Sequence, residues 1–186
     1  MWYMLEREFE KRNGEMQKGY NWCGGGIRWG TRLKTQAIHE NNKKYGDEFI
    51  VEYIGIASDE LQRIEHHRNV RNNKRISIFP LVEWGMTEKD CLNYCYSKGW
   101  NWNCNGVDLY SILDRVSCWC CGNKNIKELR NIYHYLPEVW KQLKELQSKI
   151  DMPFRRSGET IFDLEKRFIQ EDKNSLFDYK EIAIKR

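Results

Sequence analysis

The 186-residue sequence predicts a helix-rich α/β fold with a small parallel sheet, and three observations carry that reading. "EFIVEYIGIA", 48 to 57, is β-branched and almost continuously apolar, as a strand buried on both faces would be. "ISIFPLVEW", 76 to 84, is a second extended run, with Pro80 marking its edge or end. From 125 to 150, Leu129, Ile132, Leu136, Trp140, Leu143, Leu146 and Ile150 recur at helical spacing.

The elements follow in chain order. Residues 4 to 18 read as a short charged helix, weakened by Gly14, within an N-terminal helical extension over 1–19. The glycine-rich stretch "NWCGGGIRWGTRLKT" follows, and Leu33, Ala37 and Ile38 give 31 to 44 the spacing of a helix. After the first strand, Ser58 stands where the N-cap of a helix through "DELQRI" would be. Thr87 and Asp90 have the spacing of a capping box, and Gly99 would stop that helix. Pro137 divides the 125–150 pattern into two helices, because it removes a backbone donor and clashes with the preceding turn. A last helix covers about 160 to 171, within a domain spanning 20–171. The tail 172–186, ending "FDYKEIAIKR", reads as a strand or a loosely packed end.

Composition narrows the class. Hydrophobic residues at 40% and charged residues at 31% exclude the disordered class, and no apolar run approaches the roughly 18 residues of a membrane span. The start "MWYMLEREFEKR" lacks the basic-then-apolar order of a signal peptide, so the expected compartment is the cytoplasm and the expected partners include no membrane. The charge is concentrated. Residues 62 to 75, "QRIEHHRNVRNNKR", place Arg63, Arg68, Arg71, Lys74 and Arg75 against the single acid Glu65. Such a patch attracts nucleic acid or an acidic protein surface; the alternative is a solvated loop.

Seven cysteines in a chain without an export signal point to thiols or metal ligands rather than disulfides. Cys118 and Cys121 form a C-x-x-C in "CWCC", with Cys104 upstream. Thiolates so spaced can reach one zinc ion or iron–sulfur cluster, with Cys23 or His134 needed to complete four ligands. Reduced, buried thiols are the alternative. The glycine stretch has neither P-loop nor dinucleotide-fold spacing, and no nucleophile–base arrangement stands out.

"IRWGTRLKTQAI", "YIGIASDELQRI", "FPLVEWGMTEKDCLNYCYSKGWNW" and "LYSILDRVSCWCCGNKNIKELRNIYHYLPEVWKQLKEL" occur in an order and spacing that resembles the phosphoadenosine phosphosulfate reductase family. The branch is the one common in Firmicutes and their phages, and the resemblance covers about residues 20 to 168. It implies an adenine-nucleotide α-hydrolase-like fold, with Arg28, Lys34, Glu60 and Arg63 at nucleotide-binding positions and Cys118/Cys121 at the cysteine motif.

The departures from the family pattern carry as much information. The family's S-G-G-K-D-S-like phosphate loop has no counterpart in the roughly 20 residues before the match, Gly30 stands at a cysteine position, and Gly122 replaces a proline. The expectation is a truncated, catalytically incomplete member, because phosphoryl chemistry depends on prearranged donors around the phosphates. It would act as a binding or inhibitor protein toward a protein or ribonucleoprotein. Given the phage branch, the expected target is a host defence system such as a CRISPR-associated nuclease. The alternatives are one subunit of a split enzyme, or an adenine-nucleotide sensor that does not turn its ligand over.

Overall fold

The computed structural model describes residues 7–19, 22, 29–46, 48–69 and 75–184, with side chains for all of these except 29–33, 67–69 and 175–184. The chain forms two compact units. One comprises residues 1–32 and 103–186, the other residues 33–102, and both boundaries fall inside the span read from sequence as one domain.

The discontinuous unit opens with an antiparallel hairpin, β1 (Glu8–Glu10) and β2 (Met16–Lys18). This replaces the helix expected over 4 to 18. Gly14 takes φ +82 at the turn, Lys11 N–H donates to Glu15 O, and the Lys11–Glu15 ion pair closes the same turn. A left-handed glycine ends a helix but completes a hairpin. A second small hairpin, β5 (Asn103–Cys104) with β6 (Val107–Asp108), turns through Asn105 and Gly106 at positive φ.

The helices of this unit are α5 (Leu109–Ile112), α6 (Ile126–Tyr135), α7 (Pro137–Gln147) and α8 (Ile161–Ile184). Asn125 and Glu128 form a reciprocal capping box at the start of α6; Pro137 divides the run and opens α7, as the sequence predicts. Leu129, Ile132, Trp140, Leu143 and Leu146 turn inward against Ile161, Leu164 and Phe168 of α8. Tyr133, Trp140 and Phe168 pack edge-on or tilted against one another, with ring centroids 5.4 to 5.7 Å apart. Trp22 joins this core edge-on to Phe154 and donates its indole N–H to Met152 O.

Gln147 is buried in the same core, yet none of its polar atoms is wasted. Its Nε2 donates to Ile150 O and Met152 O, and its Oε1 accepts from Ile161 N–H. One side chain thereby ties the end of α7, the connecting loop and the start of α8. The tail expected as a strand or loose end continues α8 instead, which runs to Ile184.

The second unit holds α1 (Trp29–Lys43, its first turn before the boundary), β3 (Ile50–Tyr53), α2 (Leu61–Asn69), β4 (Arg75–Ile78), α3 (Pro80–Glu83) and α4 (Glu88–Ser97). β3 and β4 pair in parallel, Val51 opposite Ile76 and Tyr53 opposite Ile78, and α2 crosses between them. Among the described residues this is a two-stranded sheet. Pro80 ends the strand run by opening α3, and the Thr87/Asp90 box starts α4 as predicted. α2 begins at Leu61, two residues later than a Ser58 cap would place it. Among the described residues here, the buried apolar ones are Ile56, Ala57 and Ile64. Among the described residues no helix is long and apolar enough to cross a membrane.

Candidate functional site

Parallel strands need cover on both faces, and the register of β3 and β4 shows which face lacks it. Neighbouring residues along a strand point to opposite faces, while paired residues across the ladder share one. Val51, Tyr53, Ile76 and Ile78 therefore lie on one face, and Ile50, Glu52, Arg75 and Ser77 on the other.

The second face is polar and engaged. Arg75 pairs with Glu52 at 3.0 Å, and Ile50 and Arg75 line a cleft of about 200 Å³ together with His39, Lys43 and Glu48. The first face is apolar and open: Val51 is 47% exposed, Ile76 51% and Tyr53 73%. The strand expected to be buried on both faces is thus bare on its most hydrophobic one. Among the described residues no further strand pairs with β3 or β4.

Ligands of open α/β sheets gather beyond the carboxyl ends of the strands. That end of this pair is already stitched together. Ile54 N–H donates to Ile78 O, extending the ladder past β3, and Ser58 N–H donates to Met86 O at 2.8 Å. Asp59 Oδ1 accepts from Glu88 N–H, and Glu60 Oε2 accepts from Ala57 N–H. Arg63 pairs with Glu60. The loop therefore presents two carboxylates and an arginine already neutralised by one of them, a poor cradle for phosphates. The cleft at the opposite, amino-terminal end is smaller than the roughly 300 Å³ or more of ordinary small-molecule sites.

The nucleotide- and partner-binding residues expected from sequence divide three ways. Glu60, Arg63 and Arg75 are held in internal pairs, and Lys34 is exposed on α1. Arg68 lies on the backbone of α2. Arg28, Arg71, Lys74 and the Arg68 side chain lie outside the described residues.

Of the metal set, Cys23 also lies outside them. Among the described residues no three His, Cys, Asp or Glu side chains come together as metal ligands, so Cys104, Cys118 and Cys121 do not make a three-ligand group. His134 points instead at Asp172, 3.4 Å away, beside the Arg130–Asp172 pair. Cys91 and Cys95 are half-buried on α4, and burial together with Asp90 pushes the Cys91 thiol above its ordinary range.

Sequence reasoning missed the open face and the burial of Lys124, whose Nζ donates to Ser117 Oγ at 2.7 Å. Strand register, which selects Val51, Tyr53 and Ile76, leaves no mark on a single sequence; "CCGNKN" likewise gives no sign that its lysine turns inward. No family model, no curated protein and no solved structure matches this chain.

Proposed function

We propose that the chain is a protein-binding module rather than a self-sufficient enzyme, built on a phosphoadenosine phosphosulfate reductase-like scaffold whose sheet offers its apolar face to a partner protein. The observation that carries this reading is the open face of Val51, Tyr53 and Ile76 on a parallel strand pair. Such faces are normally covered by helices, and this one bears no charge, so the fitting partner presents an amphipathic helix or an equivalent apolar surface. The stitched, carboxylate-bearing loop at 57–60 agrees with a scaffold that does not hold nucleotide phosphates. An inhibitor acting by occlusion, for instance on a defence nuclease, is one role such a module serves.

The test uses the tagged full chain as bait in its native host, beside a Val51→Asp/Tyr53→Asp variant whose fold is checked by circular dichroism. One stoichiometric protein held by the wild type and lost by the variant is expected. Equal capture by both overturns the assignment of the face. Turnover of ATP or the sulfonucleotide by the isolated chain, above a heat-killed control, overturns the non-enzyme reading.

That β3 and β4 pair with no further strand among the described residues favours a second reading, in which another chain adds strands and a phosphate loop to complete a split enzyme. Turnover that appears only when the captured partner is added back distinguishes it.

A further inference from the structure

The loop between α5 and α6 carries chemistry that partner binding does not use. Cys121 N–H donates to Cys118 O at 3.0 Å, which closes a turn with Trp119 and Cys120 at its centre. Such a turn keeps its end Cα atoms within about 7 Å, and disulfides span Cα separations of about 4.4–6.8 Å. The backbone spacing of the two cysteines is therefore compatible with a bond between them.

The loop is also anchored on both sides. Cys120 is 3% exposed, packed into the core of its unit. Lys124, equally buried at 3%, bonds Ser117 Oγ through its ammonium and Cys121 O through its backbone N–H. Arg155 donates to Lys124 O at 2.6 Å. Anchors before and after the turn fix the spacing of Cys118 and Cys121.

The pair is asymmetric in access. Cys118 is exposed and Cys121 half-buried, both as free thiols, and the described residues supply no third ligand that would commit them to a metal. An accessible attacking thiol followed by a sheltered resolving one suits thiol–disulfide exchange, whose rate depends on access to the attacking thiol.

We propose that Cys118 and Cys121 form a redox-active dithiol that reduces small-molecule or protein disulfides. The Cys118 thiolate attacks one sulfur of RSSR, forming the mixed disulfide Cys118–S–S–R and releasing RS⁻. The Cys121 thiolate then attacks Cys118 Sγ, releasing the second RS⁻ and leaving the Cys118–Cys121 disulfide. Two electrons pass from the dithiol to RSSR, and the two thiol protons leave with two RSH.

The experiment treats the reduced full chain with oxidised glutathione, quenches it by alkylation and maps the peptides by mass spectrometry. The wild type is expected to lose two hydrogens, to show a Cys118–Cys121 link and to carry no lasting glutathione. Cys121→Ser is expected to accumulate one glutathione on Cys118, and Cys118→Ser neither adduct nor link. Cys91, with its thiol pushed up, should lag behind Cys118 in the wild type and in Cys121→Ser. A lasting adduct on the wild type overturns the proposal. So does a link through other cysteines, or one metal per chain that protects both thiols. If Cys121→Ser does not fold, the wild-type result alone decides.

Discussion

The two units use their apolar residues in opposite ways. In the unit completed by residues 103–186, α6, α7 and α8 turn Leu129, Ile132, Leu143, Ile161, Leu164 and Phe168 into one shared core. Among the described residues of 33–102, the buried apolar ones are Ile56, Ala57 and Ile64, while Val51, Tyr53, Leu61, Ile76, Trp84, Tyr94 and Trp100 face outward. Helices of about ten residues have little stability of their own and depend on a buried face. The first unit therefore carries its stability internally, whereas the second keeps apolar surface in reserve. Of the outward-facing residues, Val51, Tyr53 and Ile76 share one face of the strand pair, the face on which the proposed partner contact rests.

The largest effect should come from breaking the cored unit. Phe168→Ala removes a ring with no exposure that packs on Tyr133 and Trp140, and should cost about 3–5 kcal/mol in denaturant unfolding. Gln147→Leu should cost nearly as much, about 3 kcal/mol, because Ile150 O, Met152 O and Ile161 N–H lose their partner inside the core. Removing a helix start is milder: Asn125→Ala should cost about 1 kcal/mol. On the other unit, Tyr53→Ser should change stability by less than about 0.5 kcal/mol, since the ring makes little contact at home, while partner capture is lost. A core-sized loss from Tyr53→Ser would erase the contrast between the units.

Acid offers a subtler probe, because the same device begins a helix in each unit. Asp90 receives hydrogen bonds from the Thr87 side chain and backbone, and Asp163 from those of Thr160, which holds both carboxyls below their ordinary 3.8. Each contribution is complete above that ordinary value and is lost as pH falls through the lower, folded one. Below pH 4, α4 should fray together with its weakly cored unit, whereas α8 should survive on its packing. Circular dichroism and residue-resolved NMR along an acid titration would report this order.

Much of the cored unit was legible in the sequence. The 3.6-residue spacing of Leu129 to Ile150 and the break at Pro137 are local signals with strong tertiary agreement. The Thr87/Asp90 box was equally plain, and the Asn125/Glu128 box was readable by the same rule. The hairpin at 8–18 was not, because strands of three residues carry too little periodicity to outweigh a charged, helix-like composition. β3 was placed but its burial misread: an apolar run reveals a strand, not whether anything covers it. Of the expected binding residues, Arg63 and Arg75 were legible as charges. That Glu60 and Glu52 engage them depends on neighbours that only folding brings together.

Native-state hydrogen exchange on the free chain tests the central claim most directly. Amides of the β3–β4 ladder should exchange through local openings far below the energy of global unfolding, and those of Ile132, Leu143 and Leu164 only with global unfolding. Protection at the global limit in both regions would contradict the account, because residues 33–102 would then be as fully cored as the rest and would hold no surface in reserve.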